Sequence, residues 1–291
     1  MRQNRYGKLE LHASTKNIDM SNFRSSLLNL PPVVKNLLII NALMLLGSWV
    51  LGQTGIDLSK ILGLHFFESD YFKPFQFVTH MFMHADITHL FFNMFALFMF
   101  GRVLESVWGP KRFLLYYMLT GLGAAALHTF VLWLDYSSAM KAFTAFSNTP
   151  TPELFSAIIK DSLGRPAAWV LEFADKWADN PDSIAYANQG IQIARQAITE
   201  SINVPTVGAS GAVFGILLAF GMLFPNTELM LIFPPIPIKA KYFVIGYGAL
   251  ELFLGFQQSA GDNVAHFAHL GGMLFGFILI KYWQKHSNRF Y

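Results

Sequence analysis

A serine flanked by glycines and two histidine-containing motifs are the residues of this sequence best suited to chemistry. Ser210 lies in Gly208-Ala209-Ser210-Gly211, at the start of a long apolar run. His266 lies at the start of a second apolar run, and His89 and Asn93 lie within a third. A serine hydroxyl needs a nearby base to act as a nucleophile at neutral pH, and histidine can supply it. The residue types predict a hydrolytic site assembled from three apolar segments.

His266 is the histidine that we predict to be the general base. His266 and Ser210 both lie near the outer ends of their apolar runs, so we expect them at a similar depth. Small residues spaced four apart occur in both runs: Gly211 and Gly215 in one, Gly272 and Gly276 in the other. Such pairs let two helix backbones approach closely. The sequence predicts a catalytic dyad of Ser210 and His266.

Two polar residues near His266 have weaker predicted roles. His269 follows it by about one helical turn and is expected to pack against the helix of Ser210. Asp262 stands four residues before His266 and could orient it as the third member of a triad. Because Asp262 falls in an outer loop, where solvent weakens such a contact, the sequence favours a dyad.

The first turn of the Ser210 helix is a predicted oxyanion site. Backbone N–H groups there have no intrahelical acceptors, so the Ser210 amide could bind developing negative charge. His89 and Asn93 are four residues apart and share one helix face, from which both could donate to the same oxygen. Each such donor is typically worth ~3 kcal/mol in a dry site. His89, Asn93 and Ser210 are therefore the predicted oxyanion residues.

A structural role and a metal site are the alternatives for these polar residues. A single serine in a membrane helix commonly bonds back to its own helix, and a single histidine or asparagine commonly joins neighbouring helices. Several polar residues at one depth favour a functional site, because polar groups inside a membrane are energetically costly. The histidines at 80, 84, 89, 266 and 269 include pairs at metal-ligand spacing. We expect no metal, because there is no His-Glu-x-x-His motif and we expect no acidic residue in the spans near them.

Composition places the chain among polytopic helical membrane proteins. Hydrophobic residues make up 53% of it, charged residues 13%, and phenylalanine occurs 29 times. A soluble domain of this length would not tolerate that balance. The chain has no cysteine, which excludes disulfides and thiolate sites.

Six apolar segments have the length that a helix needs to cross a bilayer. They are Lys35–Leu51, Thr88–Val107, Phe113–Leu134, Gly208–Phe224, Lys239–Phe256 and Val264–Trp283. Basic residues concentrate on the side that carries both termini, which predicts that this side is cytoplasmic. Residues 1–34 then form a cytoplasmic N-terminal segment, 35–283 the membrane domain and 284–291 a cytoplasmic tail. An organelle-targeting peptide at the N-terminus is a less favoured alternative.

Two connections between these spans are too long to be turns. The first, from Gly52 to Ile87, is rich in aromatic residues and is expected to lie in the membrane interface. The second, residues 135–207, has helix-start signals before three apolar-periodic segments. We expect three short amphipathic helices outside the bilayer that form a lid on the interface. Trp169, Phe173 and Trp177 are expected in its headgroup layer.

Five motifs occur in the order found in one known family. They are His84; His89-Leu90-Phe91-Phe92-Asn93; Gly101-Arg102-Val103-Leu104-Glu105-Ser106-Val107-Trp108-Gly109; Gly208-Ala209-Ser210-Gly211; and Ala265-His266-Phe267-Ala268-His269-Leu270-Gly271-Gly272. With them the chain resembles the rhomboid family of intramembrane serine proteases. The resemblance implies an all-α polytopic membrane protein with a six-transmembrane-helix core, here with a helical extramembrane insert between the third and fourth spans.

The resemblance also implies site residues and partners. Ser210 would be the nucleophile and His266 the base, with His89, Asn93 and the Ser210 amide holding the oxyanion. Substrates would be single-span membrane proteins within the lipid bilayer, cleaved without a cofactor or metal, and no nucleic acid is expected as a partner.

The resemblance extends to two features outside the predicted site. Glu105 matches an acidic position that ties helix ends together. A Trp-Arg pair common in the first loop of the family is replaced here by Phe75-Gln76, so we expect aromatic burial to hold that loop instead.

The sequence favours a protease of a bacterial inner membrane over two other classes. A non-proteolytic relative that binds client helices would be marked by loss of Ser210 or His266, and both are present. A transporter is disfavoured because we find no paired repeat and expect no charged residue within the spans.

Overall fold

The computed structural model describes residues 30–163, 166–230, 235–257 and 265–286, without the side chain of Leu163. Predictions that concern Asp262, residues 1–29 and residues 287–291 fall outside the described residues. The helices are α1 (Pro32–Gly52), α2 (Leu58–Leu62), α3 (Gln76–Thr79), α4 (Ile87–Trp108), α5 (Pro110–Asn148), α6 (Pro152–Leu163), α7 (Ala168–Ala178), α8 (Ile184–Ile202), α9 (Ser210–Leu223), α10 (Ala240–Gln257) and α11 (His266–His286). An antiparallel pair of short strands, β1 (Glu228–Met230) and β2 (Pro237–Lys239), lies between α9 and α10 in sequence.

The predicted all-α membrane fold is confirmed. Helices occur at all six predicted spans, and α1, α4 and α5 are long and apolar enough to cross a membrane by length and composition. The number of spans stays a prediction, because α9 is apolar but has 14 residues, fewer than the ~17 that usually span the hydrocarbon core. The end of the third span at Leu134 also stays a prediction, but the helix that contains this span does not stop there. It continues to Asn148, since no Gly or Pro interrupts the chain after Gly123.

Helix α9 lies at the centre of the fold. All of its residues except Ser210, Leu218 and Met222 are buried. The outer helices expose large apolar side chains, such as Trp49 on α1 at 66% and Ile245 on α10 at 68%. A soluble protein would cover so many apolar groups, so these faces fit a lipid environment.

Small residues set how closely α5, α9 and α11 approach. A Cβ on Gly272 would overlap the carbonyl oxygen of Gly211, and a Cβ on Gly211 would overlap the Cβ of Ala124. The predicted close contact between the Ser210 helix and the last helix is therefore confirmed at Gly211 and Gly272. The second pair behaves differently, because Gly215 and Gly276 both lie against α5.

The loop between α1 and α4 is held by a buried glutamine. Gln76 is fully buried, and its side-chain oxygen accepts from the backbone N–H groups of His65 (3.3 Å) and Lys73 (3.0 Å). Its amide nitrogen donates to the carbonyls of Ile61 (3.1 Å) and Tyr71 (2.9 Å). The expectation that aromatic burial replaces the missing charge at this position is thus incomplete. Four hydrogen bonds to one uncharged side chain fix the loop.

Glu105 ties two helix ends together, as the resemblance to the family implied. Its two carboxylate oxygens accept from the backbone N–H groups of Val33 (2.9 Å) and Val34 (2.8 Å) in the first turn of α1. Those N–H groups have no acceptor within α1, so the buried carboxylate of α4 caps the helix from another element.

The insert has a core of its own. Helices α6, α7 and α8 occur in the predicted region and pack on the extended end of α5 around Phe146, Phe155 and Trp177, which are all fully buried. The expectation that Phe173 and Trp177 lie in the headgroup layer is wrong. They are 8% and 0% exposed, because their apolar faces pack on one another, and only Trp169, at 58%, is outward.

Candidate active site

Ser210 is the first residue of α9 and is half-buried. The turn before it depends on Gly208, which has a φ of +133°. A Cβ on Gly208 would lie 2.9 Å from the ring of His89. Glycine is therefore required here for both backbone conformation and space. The His80 carbonyl accepts from the Gly208 N–H (2.9 Å) and fixes the turn to the loop before α4.

The histidine that contacts Ser210 is His269. Its Nε2 lies 2.8 Å from Ser210 Oγ, a hydrogen-bonding distance. The His269 ring also stacks on Phe214, with ring centroids 4.1 Å apart and planes 7° from parallel. Phe214 follows Ser210 by one turn of α9, so the same helix presents the hydroxyl and supports the ring beside it.

The predicted pairing of Ser210 with His266 is wrong in its second member. The Nδ1 atom of His266 hydrogen-bonds to Glu251 on α10 (2.7 Å). The contact between Gly211 and Gly272 explains the change, because it fixes the register of α9 against α11. His269 precedes Gly272 by three residues and shares its face, whereas His266 precedes it by six and points elsewhere.

Glu251 was not predicted and connects the two histidines. Its Oε2 atom is 2.8 Å from Nδ1 of His269 and 2.7 Å from Nδ1 of His266. The side chain is buried, 4% exposed, in the middle of α10. The sequence carried a signal for it, since an acidic residue inside an apolar span usually marks a function. Its position contradicts the expectation that no acidic residue lies in the spans near these histidines.

The predicted oxyanion residues His89 and Asn93 lie on one face of α4. The ring of His89 packs against Gly208, beside Ser210. The Asn93 side chain is buried, and its Nδ2 donates to the carbonyl of His89 (2.9 Å). Their donation to a reacting oxygen stays a prediction.

His80 and His84 lie in the loop before α4 and are buried. The pKa of each is lowered from 6.5 to about 4, mainly by burial, and the neighbouring His89 contributes to the lowering at His84. His80 Nδ1 lies 2.8 Å from the carbonyl of Gln76. The ring of His84 contacts that of His89 edge to face, with centroids 5.1 Å apart. Both rings are neutral at pH 7 and form part of the wall beside the serine.

Glu251, His266 and His269 are also the described residues that together could hold a metal ion. One atom from each lies within 4.8 Å of the others. The observed separations of 2.7 and 2.8 Å between the ring nitrogens and the carboxylate oxygen are hydrogen-bonding distances to one shared oxygen. The arrangement in the structure is a hydrogen-bonded cluster.

Residues 71–145 and 183–285 match the family model described as the Rhomboid domain, which covers more than half of the chain. The chain belongs to the rhomboid family. Family membership supports an integral membrane protein with an intramembrane protease-type function. The break between the two matched segments falls in the insert, so the insert is where this rhomboid departs from the family pattern.

Three curated rhomboid proteins are similar to the chain. An uncharacterized mitochondrial rhomboid protein of Schizosaccharomyces pombe is 28% identical over 221 residues, covering 72% of this chain and 52% of that protein. RHOMBOID-like protein 12, mitochondrial, of Arabidopsis thaliana is 26% identical over 242 residues, with coverages of 82% and 55%. Rhomboid protein 1, mitochondrial, of Saccharomyces cerevisiae is 24% identical over 258 residues, with coverages of 84% and 52%. The chain spans about half the length of these relatives.

Proposed function

We propose that this protein is an intramembrane serine endopeptidase in which Ser210 is the nucleophile and His269 the general base. The observation that carries the proposal is the 2.8 Å contact between Ser210 Oγ and His269 Nε2 at the start of a buried helix. A hydroxyl hydrogen-bonded to an imidazole nitrogen is the arrangement that activates a serine for acyl transfer.

The reaction would proceed in two stages. Ser210 Oγ attacks the carbonyl carbon of the scissile peptide bond while His269 Nε2 takes the hydroxyl proton. The tetrahedral intermediate collapses, the C–N bond breaks, and His269 gives the proton to the leaving amine. A water molecule, deprotonated by His269, then attacks the acyl-enzyme ester. The second tetrahedral intermediate collapses, the C–O bond to Ser210 breaks, the carboxylic acid product leaves, and His269 returns the proton to Ser210 Oγ.

The negative oxygen of each intermediate needs donors that the solvent does not supply. We propose that the Ser210 backbone amide, His89 and Asn93 provide them. Support comes from the position of Ser210 in the first turn of α9, where N–H groups lack intrahelical acceptors, and from the packing of His89 beside it. Asn93 retains a second amide hydrogen besides the one given to His89.

We propose that the substrates are single-span membrane proteins that enter from the bilayer. The apolar outer surface of the helices supports entry from lipid rather than from water. The bias of basic residues toward the side of the termini supports a cytoplasmic location of both. The membrane that we propose is a bacterial inner membrane. The names of the three relatives place those proteins in mitochondria, so their compartment differs from this assignment.

The proposal is tested with a serine-directed fluorophosphonate probe and a reporter transmembrane substrate in detergent. We expect labelling and cleavage by the wild type, neither with Ser210→Ala, and a loss of about 10⁴-fold or more in turnover with His269→Ala. Absence of both activities in a folded wild type would contradict the proposal and favour a non-proteolytic helix-binding role.

A further inference from the structure

The Glu251 carboxylate is the feature that the Ser210–His269 pair does not by itself explain. The two neighbouring residues of α10 are exposed and apolar, with Leu250 at 48% and Leu252 at 46%. Glu251 instead points inward, where ionised carboxylates are costly unless they are hydrogen-bonded. Its two histidine partners supply those hydrogen bonds through the same oxygen.

The contact fixes which nitrogen of His269 carries a proton. An ionised carboxylate only accepts hydrogen bonds, so Nδ1 of His269 must be the protonated nitrogen that donates to it. In the neutral ring, Nε2 then has a free lone pair, and this atom faces Ser210 Oγ. The tautomer set by Glu251 is therefore the one that can accept the serine proton.

The ring is also held in place from two directions. Stacking on Phe214 fixes the plane of the His269 imidazole, and the contacts at its two nitrogens fix its rotation within that plane. His266 contributes indirectly, because its Nδ1 donates to the oxygen that His269 uses and holds the carboxylate against the ring.

We propose that Glu251 is a positioning residue that converts the Ser210–His269 pair into a triad, with His266 steadying the carboxylate. This inference rests on the proposed function. Glu251 holds His269 in the basic tautomer, and its negative charge stabilises the imidazolium formed when His269 takes the serine proton. A dyad would lack both contributions.

A metal at the same cluster would have the opposite effect. A cation bound to Nδ1 of His269 would leave the hydrogen on Nε2, which could then donate to Ser210 but could not accept its proton. Occupation by a metal and the action of His269 as a base exclude one another. The response to a chelator therefore separates the two.

The decisive comparison is between Glu251→Gln and Glu251→Asp. Glutamine keeps the shape of the side chain and loses its charge, whereas aspartate keeps the charge and shortens the reach. We expect Glu251→Gln to lower kcat about 100-fold or more with KM changed less than about threefold, because the charge acts in the transition state. The Asp variant should retain at least about tenfold more activity than the Gln variant.

A role in packing alone predicts the reverse order, so a Gln variant as active as the Asp variant, or more active, would overturn the inference. Glu228→Gln on exposed β1 is the matched control and should behave as wild type. Thermal denaturation in detergent establishes that each variant is folded. Wild-type activity that is lost on treatment with a chelator and restored by zinc would also overturn the inference.

The result distinguishes this inference from the function on which it rests. If the wild type cleaves the substrate and depends on Ser210 and His269 while Glu251→Gln is fully active, the proposed role of Glu251 is refuted and the proposed protease function is supported. If the folded wild type neither cleaves nor reacts with the probe, the proposed function itself fails.

Discussion

The contact between Gly211 and Gly272 is predicted to control activity, although neither residue has a group that could react. A methyl group on Gly272 would overlap the carbonyl oxygen of Gly211, and real Cβ atoms essentially never approach another atom to within 3.0 Å. The carbonyl belongs to the backbone of α9 and cannot rotate away. The Gly272→Ala change must therefore push α9 and α11 apart, by about 1 Å or more in a close-packed interior.

That displacement acts directly on the reacting pair. His269 precedes Gly272 by three residues, and Ser210 precedes Gly211 by one. A 1 Å separation would stretch the 2.8 Å contact between Ser210 Oγ and His269 Nε2 beyond hydrogen-bonding range. Misplacement of this size costs about 100-fold in rate, and the overpacking should lower the free energy of unfolding by about 1–3 kcal/mol.

The assay compares turnover of the reporter substrate and the melting temperature in detergent for Gly272→Ala and a matched control. Gly246→Ala introduces the same methyl group into α10, where no atom of the described residues lies within 4 Å of it, and should leave both quantities unchanged. A folded Gly272→Ala protein with wild-type turnover would refute the claim that this contact sets the register of the site.

Three further predictions concern the oxyanion residues, the insert and acid stability. His89→Ala and Asn93→Ala should lower kcat by about 10²-fold or more with little change in KM, since their proposed contacts form in the transition state; an effect confined to KM would assign them to substrate positioning. Replacing Ser138–Glu200 with a flexible linker should preserve probe labelling but change the ranking of a substrate panel, because the insert has a separate core; loss of labelling in a folded protein would make it part of the site scaffold. Lowering the pH from 6.5 to 4 should destabilise the protein, because His80 and His84, with pKa values lowered to about 4, bind fewer protons folded than unfolded. The free energy of unfolding should fall by up to about 3 kcal/mol for each of the two histidines. A melting temperature that is unchanged between pH 7 and pH 4.5 would contradict this prediction.

The sequence by itself determined the class, the helices and most of the chemistry-bearing residues. Apolar run lengths located α1, α4, α5, α9, α10 and α11, because a helix that crosses lipid must satisfy its backbone internally and cover itself with apolar side chains. Glycine spacing likewise indicated that the Ser210 helix meets the last helix. These features depend on residue type and local spacing, which can be read directly from the sequence.

Only the tertiary structure decided which histidine meets the serine. His266 and His269 lie within one helical turn of each other, so their predicted depth in the membrane cannot show which of them meets Ser210. The backbone contact at Gly272 sets the rotation of α11 about its axis and places His269 on Ser210. Glu251 comes from a third helix, 15 residues before His266, and its role depends on how α10 packs against α11. Helix identity is local, whereas rotation and register follow from contacts between segments distant in sequence.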